Sequence, residues 1–254
     1  LVGKDILRFH TVYWPSFLMS LNLEPPKHVF AHGWWTIEGH KMSKSLGNVI
    51  DPNEVVKIYG VDEFRFFLFR EVPFGLDGDF SKHGIVNRIN GDLANDFGNL
   101  ASRSVTMIGK FLKGKIDRPE KKGGMDEYVE DNVRRLVEEY QKEMEVFAYH
   151  KALQNAFEII SILNKYIDTE APWRLAKEGD NRIKTVLCNI WNSLRIVAML
   201  LYPYMPSKSQ AIWNALGIGK PIDKILFDTE KIFYFMDDLG TIDKINPIFP
   251  RIEG

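Results

Sequence analysis

Between Ile85 and Leu216 the apolar residues fall on a helical period five times in succession. Ile85, Ile89, Leu93, Phe97, Leu100, Ile108 and Phe111 make the first stripe. Val129, Val133, Leu136, Tyr140, Met144 and Phe147 make the second, and Leu153, Phe157, Ile160, Leu163 and Ile167 the third. Ile183, Leu187, Ile190, Leu194, Val197 and Leu201 make the fourth, stopped before Pro203, and Ser207 to Leu216 is the fifth, closed by Gly217. Steps of three and four place such residues on one face of a helix. A helix with one apolar face needs neighbours to cover it, and the joints here are short, so the pattern predicts an antiparallel helical bundle. Pro172 marks a short turn between the third and fourth stripes. The tail from Pro221 to Gly254 has no clear period but several aromatics, and is expected to pack back across the bundle.

Residues 1–50 read as mixed α/β. Val29-Phe30-Ala31 and Trp35-Thr36-Ile37 are short β-prone runs, and Glu38-Gly39-His40 reads as a turn. Asp51-Pro52-Asn53-Glu54 is a helix start: Asp51 can cap, Pro52 suits the first helical position, and Glu54 completes a capping box. Gly60 ends that helix and Asp62 begins an aromatic-rich one through Phe69. Pro73 to Asp79 reads as a loop, and Lys113 to Gly124 as a basic, solvated connector.

Composition narrows the chemistry. With 45% hydrophobic and 26% charged residues the chain is globular rather than disordered. Its single cysteine, Cys188, rules out an internal disulfide framework and a cysteine-built zinc site within these residues. No run reaches ~18 consecutive apolar residues, so no spanning helix is expected. A net charge of −1 means that any polyanion would be held by focal contacts, not by a global field. The opening Leu1-Val2-Gly3-Lys4-Asp5 enters a patterned segment at once and reads as a cut into a longer chain.

One local motif carries chemistry. In Lys41-Met42-Ser43-Lys44-Ser45 two lysines stand three apart around a small hydroxyl residue, with Gly47 beyond. That suits a mobile loop over phosphates, since lysine is a compact cation on a flexible stem. By itself a K-x-x-K pair is most often a solvated turn. It is not a Walker loop, because no G-x-x-x-x-G-K-[ST] occurs.

Its neighbours decide the matter. Lys41 to Ser45 matches the KMSKS signature of class I aminoacyl-tRNA synthetases without a mismatch. Gly3-Lys4-Asp5-Ile6, Phe9-His10, Tyr13-Trp14-Pro15, His32-Gly33, Gly39 and Ser45-Leu46-Gly47-Asn48 resemble the methionyl-tRNA synthetase family specifically. So do Tyr59-Gly60-Val61-Asp62, Asp77-Gly78-Asp79-Phe80, Asn99-Leu100-Ala101-Ser102-Arg103, Ala171-Pro172-Trp173 and Phe249-Pro250-Arg251.

The resemblance implies an ATP-dependent methionine–tRNA ligase of the cytoplasm, with Mg2+ as counter-ion to the nucleotide, no metal site of its own here, and no membrane. Lys44 and Lys41 would stabilise the phosphates as the amino-acid carboxylate attacks, with Ser43 in the same loop. Gly3, Asp5 and His32 would lie along the adenylate. Asp5, Ile6 and His10 would border the methionine pocket; Ile6 and His10, four apart, can share a helix face. An apolar wall with one polar edge suits a soft thioether. Asn99, Arg103 and Trp173 would read the CAU anticodon of tRNA(Met) by base-edge hydrogen bonds and stacking, with Asn164 and Asp168 shaping the same place. Read without the resemblance, His10 would be a core histidine, Asp5 a helix cap and Trp173 a core aromatic.

The implied architecture is the second half of a Rossmann-type catalytic domain (1–50), a stem-contact segment (51–83) and an all-α anticodon-binding domain (84–254). The family's His-x-Gly-His-type signature and cysteine zinc knuckles are absent from this sequence and are expected upstream of Gly3, so that the catalytic site is completed by an upstream half in cis or in trans. Two alternatives stand beside this reading: another class I synthetase of the valine, isoleucine, leucine or cysteine type, and a non-catalytic tRNA-binding subunit or split-enzyme partner.

Overall fold

Glycine and short β-branched runs near the start build strands too brief to stand alone, so they are ordered by their partners. A computed structural model describes residues 1–43, 47–116, 118–119, 122–234, 240–242 and 245–253. Val2–Gly3 (β1) pairs in parallel with Ala31–His32 (β2), with Gly3 opposite His32. The crossover between them is helical: a 3-10 turn at Lys4–Ile6, a π-helical turn at Phe9–Tyr13, then Trp14–Ser20 (α1). Trp35–Ile37 (β3) turns through Glu38 and Gly39 into the antiparallel His40–Lys41 (β4). Both turn residues have positive φ, 50° and 78°, the conformation a two-residue hairpin requires.

Asp51 caps Pro52–Tyr59 (α2), its carboxylate accepting from Asn53 N, while Glu54 turns to Lys57 at 2.6 Å. Asp51 caps as expected, but Glu54, expected to complete a capping box, instead pairs with Lys57 along its own helix. Gly60, at φ 99°, breaks α2 from Val61–Glu71 (α3), and a side chain there would run into the Glu63 carboxylate. Gly78–Phe80 (β5) corrects one expectation. Gly78 and Asp79 are strand, not loop, paired in parallel with β3. Their strand character comes from a partner forty residues upstream, which local sequence does not reveal.

The first stripe becomes one uninterrupted helical rod: Lys82–Arg88 (α4), a π-helical stretch Ile89–Gly98, and Asn99–Leu112 (α5). The wider π turns keep the four-residue steps Ile85, Ile89, Leu93 and Phe97 on one buried face. Asp126–Glu145 (α6) and Tyr149–Glu170 (α7) form a helical hairpin. Phe147 lies outside the helix that its stripe implied, at φ 61° in the joint, 39% exposed. Pro172–Glu178 (α8) is a full short helix where a turn was expected, because Pro172 and Leu175 bury against the bundle.

Arg182–Leu201 (α9) departs most. Its sequence shows a stripe, yet every residue from Thr185 to Leu201 is buried, so α9 is the central helix. By length and composition it could cross a bilayer, and here the bundle takes that role of apolar surroundings. Pro206–Ala215 (α10) and the short Phe227–Glu230 (α11) follow. The tail does pack back. Ile242, Ile248 and Phe249 are buried, and Asn90 both donates to Ile252 O and accepts from Ile252 N, each at 2.9 Å.

Segment α3 is bolted to the end of the bundle. Asp62 caps the start of α10, accepting from Lys208 N at 2.7 Å, and Glu63 pairs with Lys208 Nζ at 3.0 Å. Arg65 donates to the carbonyls of Pro203 and Tyr204 where α9 ends. Asp62→Ala is therefore expected to lower stability by about 1–2 kcal/mol through the lost cap, with Asp62→Asn losing less because it keeps an acceptor. Urea unfolding of the three proteins measures this; equal midpoints would remove the cap from the account.

Candidate nucleotide and anticodon sites

The parallel ends of β1 and β2 bring Gly3, Asp5 and His32 together. A side chain at position 3 would meet Asp5 Oδ1 at 2.6 Å and His32 Cε1 at 3.9 Å, so glycine lets the Asp5 carboxylate keep its place in this corner. His32 Nδ1 lies 2.9 Å from Gly33 O. A carbonyl can only accept, so Nδ1 carries a proton, and in the neutral ring Nε2 is the acceptor. The next helical turn holds Ile6 and His10. His10 Nδ1 donates to Ile6 O at 3.0 Å, which sets the two residues on one face, and its ring meets Trp14 edge-on at 5.9 Å.

Lys41 ends β4, beside this corner rather than in it. Its ammonium lies 5.1 Å from the centre of the Trp34 ring. Lys4 lies 4.3 Å from the same ring and pairs with Asp77 at 2.6 Å. Asp77 also accepts from Trp34 N at 2.8 Å, and these two donors hold its carboxyl below the ordinary carboxylate range. The base of the lysine loop is clasped by Asn48, which accepts from Ser43 N at 2.8 Å and donates to Lys41 O at 3.1 Å. Lys44 lies outside the described residues. Asn48, Trp34, Lys4 and Asp77 were not singled out for these roles in the sequence. Asn48 stands in the recognised run, but Asp77 is 73 residues from Lys4 and no local signal joins them.

The hairpin under that loop is tied by Asp79, which accepts from Thr36 Oγ1 at 2.5 Å and from Gly39 N at 2.7 Å. These bonds, the hydroxyl first, hold its carboxyl below the usual value of 3.8. A group whose folded value is depressed contributes its stability above the unfolded value and loses it as pH falls through the folded one. The protection of the Gly39 amide, taken relative to its intrinsic exchange rate, should therefore be full above about pH 4 and fall below it. Hydrogen exchange against pH tests this, and Asp79→Asn should flatten the profile.

On the bundle, Asn99 and Arg103 share one face of α5. Arg103 donates to Asn164 Oδ1 at 3.0 Å and to Asp168 Oδ1 at 3.2 Å, both from α7. Asn164 in turn donates to Asp96 O. Trp173, the second residue of α8, is 49% exposed. Arg103, Met107, Ile167 and Trp173 line a shallow cavity of about 370 Å3. Asn99 lines its neighbour, of about 350 Å3, with Asn95, Phe249 and Arg251, and Ser102 belongs to both. The structure thus joins Arg103, Asn164, Asp168 and Trp173 directly, and Asn99 one step along the groove. The contribution of Phe249 and Arg251 comes from the far end of the chain, where no period pointed to it.

Among the described residues no cluster of His, Cys, Asp or Glu could hold a metal ion. Cys188 is buried, and burial pushes its thiol up to about 12, so it stays an unreactive core group.

Residues 1–105 match the family model described as tRNA synthetases class I (M), which gives the class. Residues 117–238 match the anticodon binding domain of methionyl tRNA ligase. A methionine–tRNA ligase of Caldanaerobacter subterraneus is 46% identical over the whole chain, and one of Fusobacterium nucleatum 43%. The Mycobacterium tuberculosis methionyl-tRNA synthetase in complex with methionyl-adenylate superposes on 98% of this chain with a TM-score of 0.90, at 39% identity, over 49% of its own length. The chain belongs to the methionyl-tRNA synthetase family. It spans about 40% of the length of the two curated relatives named above.

Proposed function

We propose that the protein carrying this chain activates L-methionine with ATP and transfers it to tRNA(Met). The observation that supports this best is the pairing of two sites on one chain: the Gly3–Asp5–His32 corner beside the lysine loop, and the Arg103–Trp173 groove on the bundle. In the first step the methionine carboxylate attacks the α-phosphate in line. A carboxylate oxygen–phosphorus bond forms and the bond to pyrophosphate breaks. Lys41 and Lys44 meet the charge that grows on the pentavalent phosphate and leaving group, a place where preorganised cations act most strongly. Mg2+ travels with the nucleotide. Gly3 leaves room for the adenylate, and His32 Nε2 accepts from it. Asp5 meets the ammonium or a ribose hydroxyl, and Ile6 and His10 border the thioether.

In this reading residues 1–50 are catalytic, 51–83 form the stem-contact segment, and 84–254 hold the anticodon. The strong contacts of α3 with the end of α9 and the start of α10 support a rigid middle segment. Phe9, Phe17 and Leu21 stand exposed along the β1–β2 crossover, an apolar face suited to covering by the remaining part of the catalytic domain. The location proposed is the cytoplasm.

The experiment is methionine-dependent pyrophosphate exchange by the full-length gene product, run beside valine, isoleucine, leucine and cysteine. Exchange with methionine alone is expected. Exchange with another amino acid would move the assignment within class I, and none at all would favour a tRNA-binding subunit.

A further inference from the structure

Trp34 has no role in the reading above, yet it is the residue on which the two lysines of the nucleotide side converge. The residue is 46% exposed and its ring lies beside both Lys4 and Lys41. The two cations are not equivalent. Lys4 is neutralised by Asp77, and that pair is tied to the Trp34 backbone through the Trp34 N–H. Among the described residues no carboxylate lies within ion-pair distance of Lys41, so its charge rests against the ring alone. An aromatic face attracts a cation without cancelling its charge, and at a half-exposed ring the hold is weak.

From this geometry we propose that Trp34 is a positioning residue that parks the Lys41 ammonium at the mouth of the nucleotide site and releases it to the phosphates. The inference rests on the synthetase reading. A lysine stem has four rotatable bonds, and left free at the end of β4 it would sample a wide volume. Asn48 fixes the backbone at Lys41, and Trp34 fixes the far end of its side chain. Part of the ordering that the transition state requires is then in place before ATP arrives. A carboxylate in place of the ring would hold Lys41 harder and compete with the phosphates. Asp77, the carboxylate bound to the Trp34 N–H, is engaged by Lys4. Because Lys41 acts on charge that develops during the reaction, losing the platform should lower kcat more than it raises KM for ATP.

The test is a double-mutant cycle in pyrophosphate exchange by the full-length gene product. Trp34→Leu should lower kcat about two- to fivefold and leave KM for ATP within about 1.5-fold, while Trp34→Tyr, which keeps a π face, should recover most of the rate. In a Lys41→Met background Trp34→Leu should cost nothing further, because the residue through which it acts is gone. Equal loss in both backgrounds would make Trp34 a plain structural residue and overturn the proposal, as would full activity of Trp34→Leu. If the unsubstituted protein shows no exchange, the synthetase reading falls and this inference with it; if it does exchange, only this inference is at stake.

Discussion

Arg195→Met is expected to destabilise the fold by about 3–5 kcal/mol, the loss that follows when one partner of a buried ion pair is removed. Arg195 is fully buried in the middle of α9. One of its terminal nitrogens donates to Glu230 Oε2 at 2.6 Å and to Glu230 O at 2.7 Å, the other to Ile232 O at 2.5 Å, and the guanidinium lies 4.0 Å from the Tyr234 ring centre. Burial alone would disfavour the cation, pulling its pKa down, and these acceptors oppose that. Methionine fills the stem's volume but takes the cation from the Glu230 carboxylate, which keeps the Tyr234 hydroxyl, and the guanidinium donors from two carbonyls. The segment after α11 would then separate from α9. Denaturant unfolding should show a lower midpoint, and thermal unfolding a drop on the order of 6–20 °C for a domain of this size. Glu230→Gln is the control: it keeps an acceptor and removes the charge, so it should cost clearly less. An Arg195→Met protein as stable as the parent would mean that the clasp contributes nothing net.

Trp173→Ala is expected to lower kcat/KM for aminoacylation by about 5- to 150-fold, the ~1–3 kcal/mol worth of one base-stacking platform. The indole forms one wall of the cavity whose other wall carries Arg103. Removing it takes the stacking surface and leaves the guanidinium, which Asn164 and Asp168 still hold. Arg103→Ala should show a loss of similar size and weaker discrimination against altered anticodons. Methionine-dependent pyrophosphate exchange should be unchanged in both, since the groove and the β1–β2 corner share no residue. Trp173→Phe should recover part of the loss. Collapse of exchange in a folded Trp173→Ala protein would assign the indole to the core and take the anticodon reading from this groove.

The two cases differ in what the sequence could show. Trp173 and Arg103 stand in short runs that carry the family resemblance, and the spacing of Asn99 to Arg103 already put both on one helix face. The Arg195 clasp had no such sign, because its acceptors are backbone carbonyls 35 and 37 residues away. Likewise Lys41 is legible as half of a lysine pair, while its resting place on Trp34 depends on how β3 and β4 fold under the loop.

The sequence by itself determined the elements whose cause is local. The five apolar stripes gave the bundle, Asp51 and Pro52 started α2 where expected, Gly60 stopped it, and Glu38-Gly39 closed the hairpin, since periodicity, caps and positive φ depend on residues a few positions apart. Tertiary structure alone decided the rest. It made Gly78 and Asp79 a strand by supplying β3 and buried α9 on every side. It turned Asp62 from the start of one helix into the cap of another, and brought Asp77 to Lys4. Each of these depends on a partner at least forty residues away or on being surrounded. A hydrogen bond or a buried face is fixed by what the rest of the chain places against it, and the residue's own type does not carry that information.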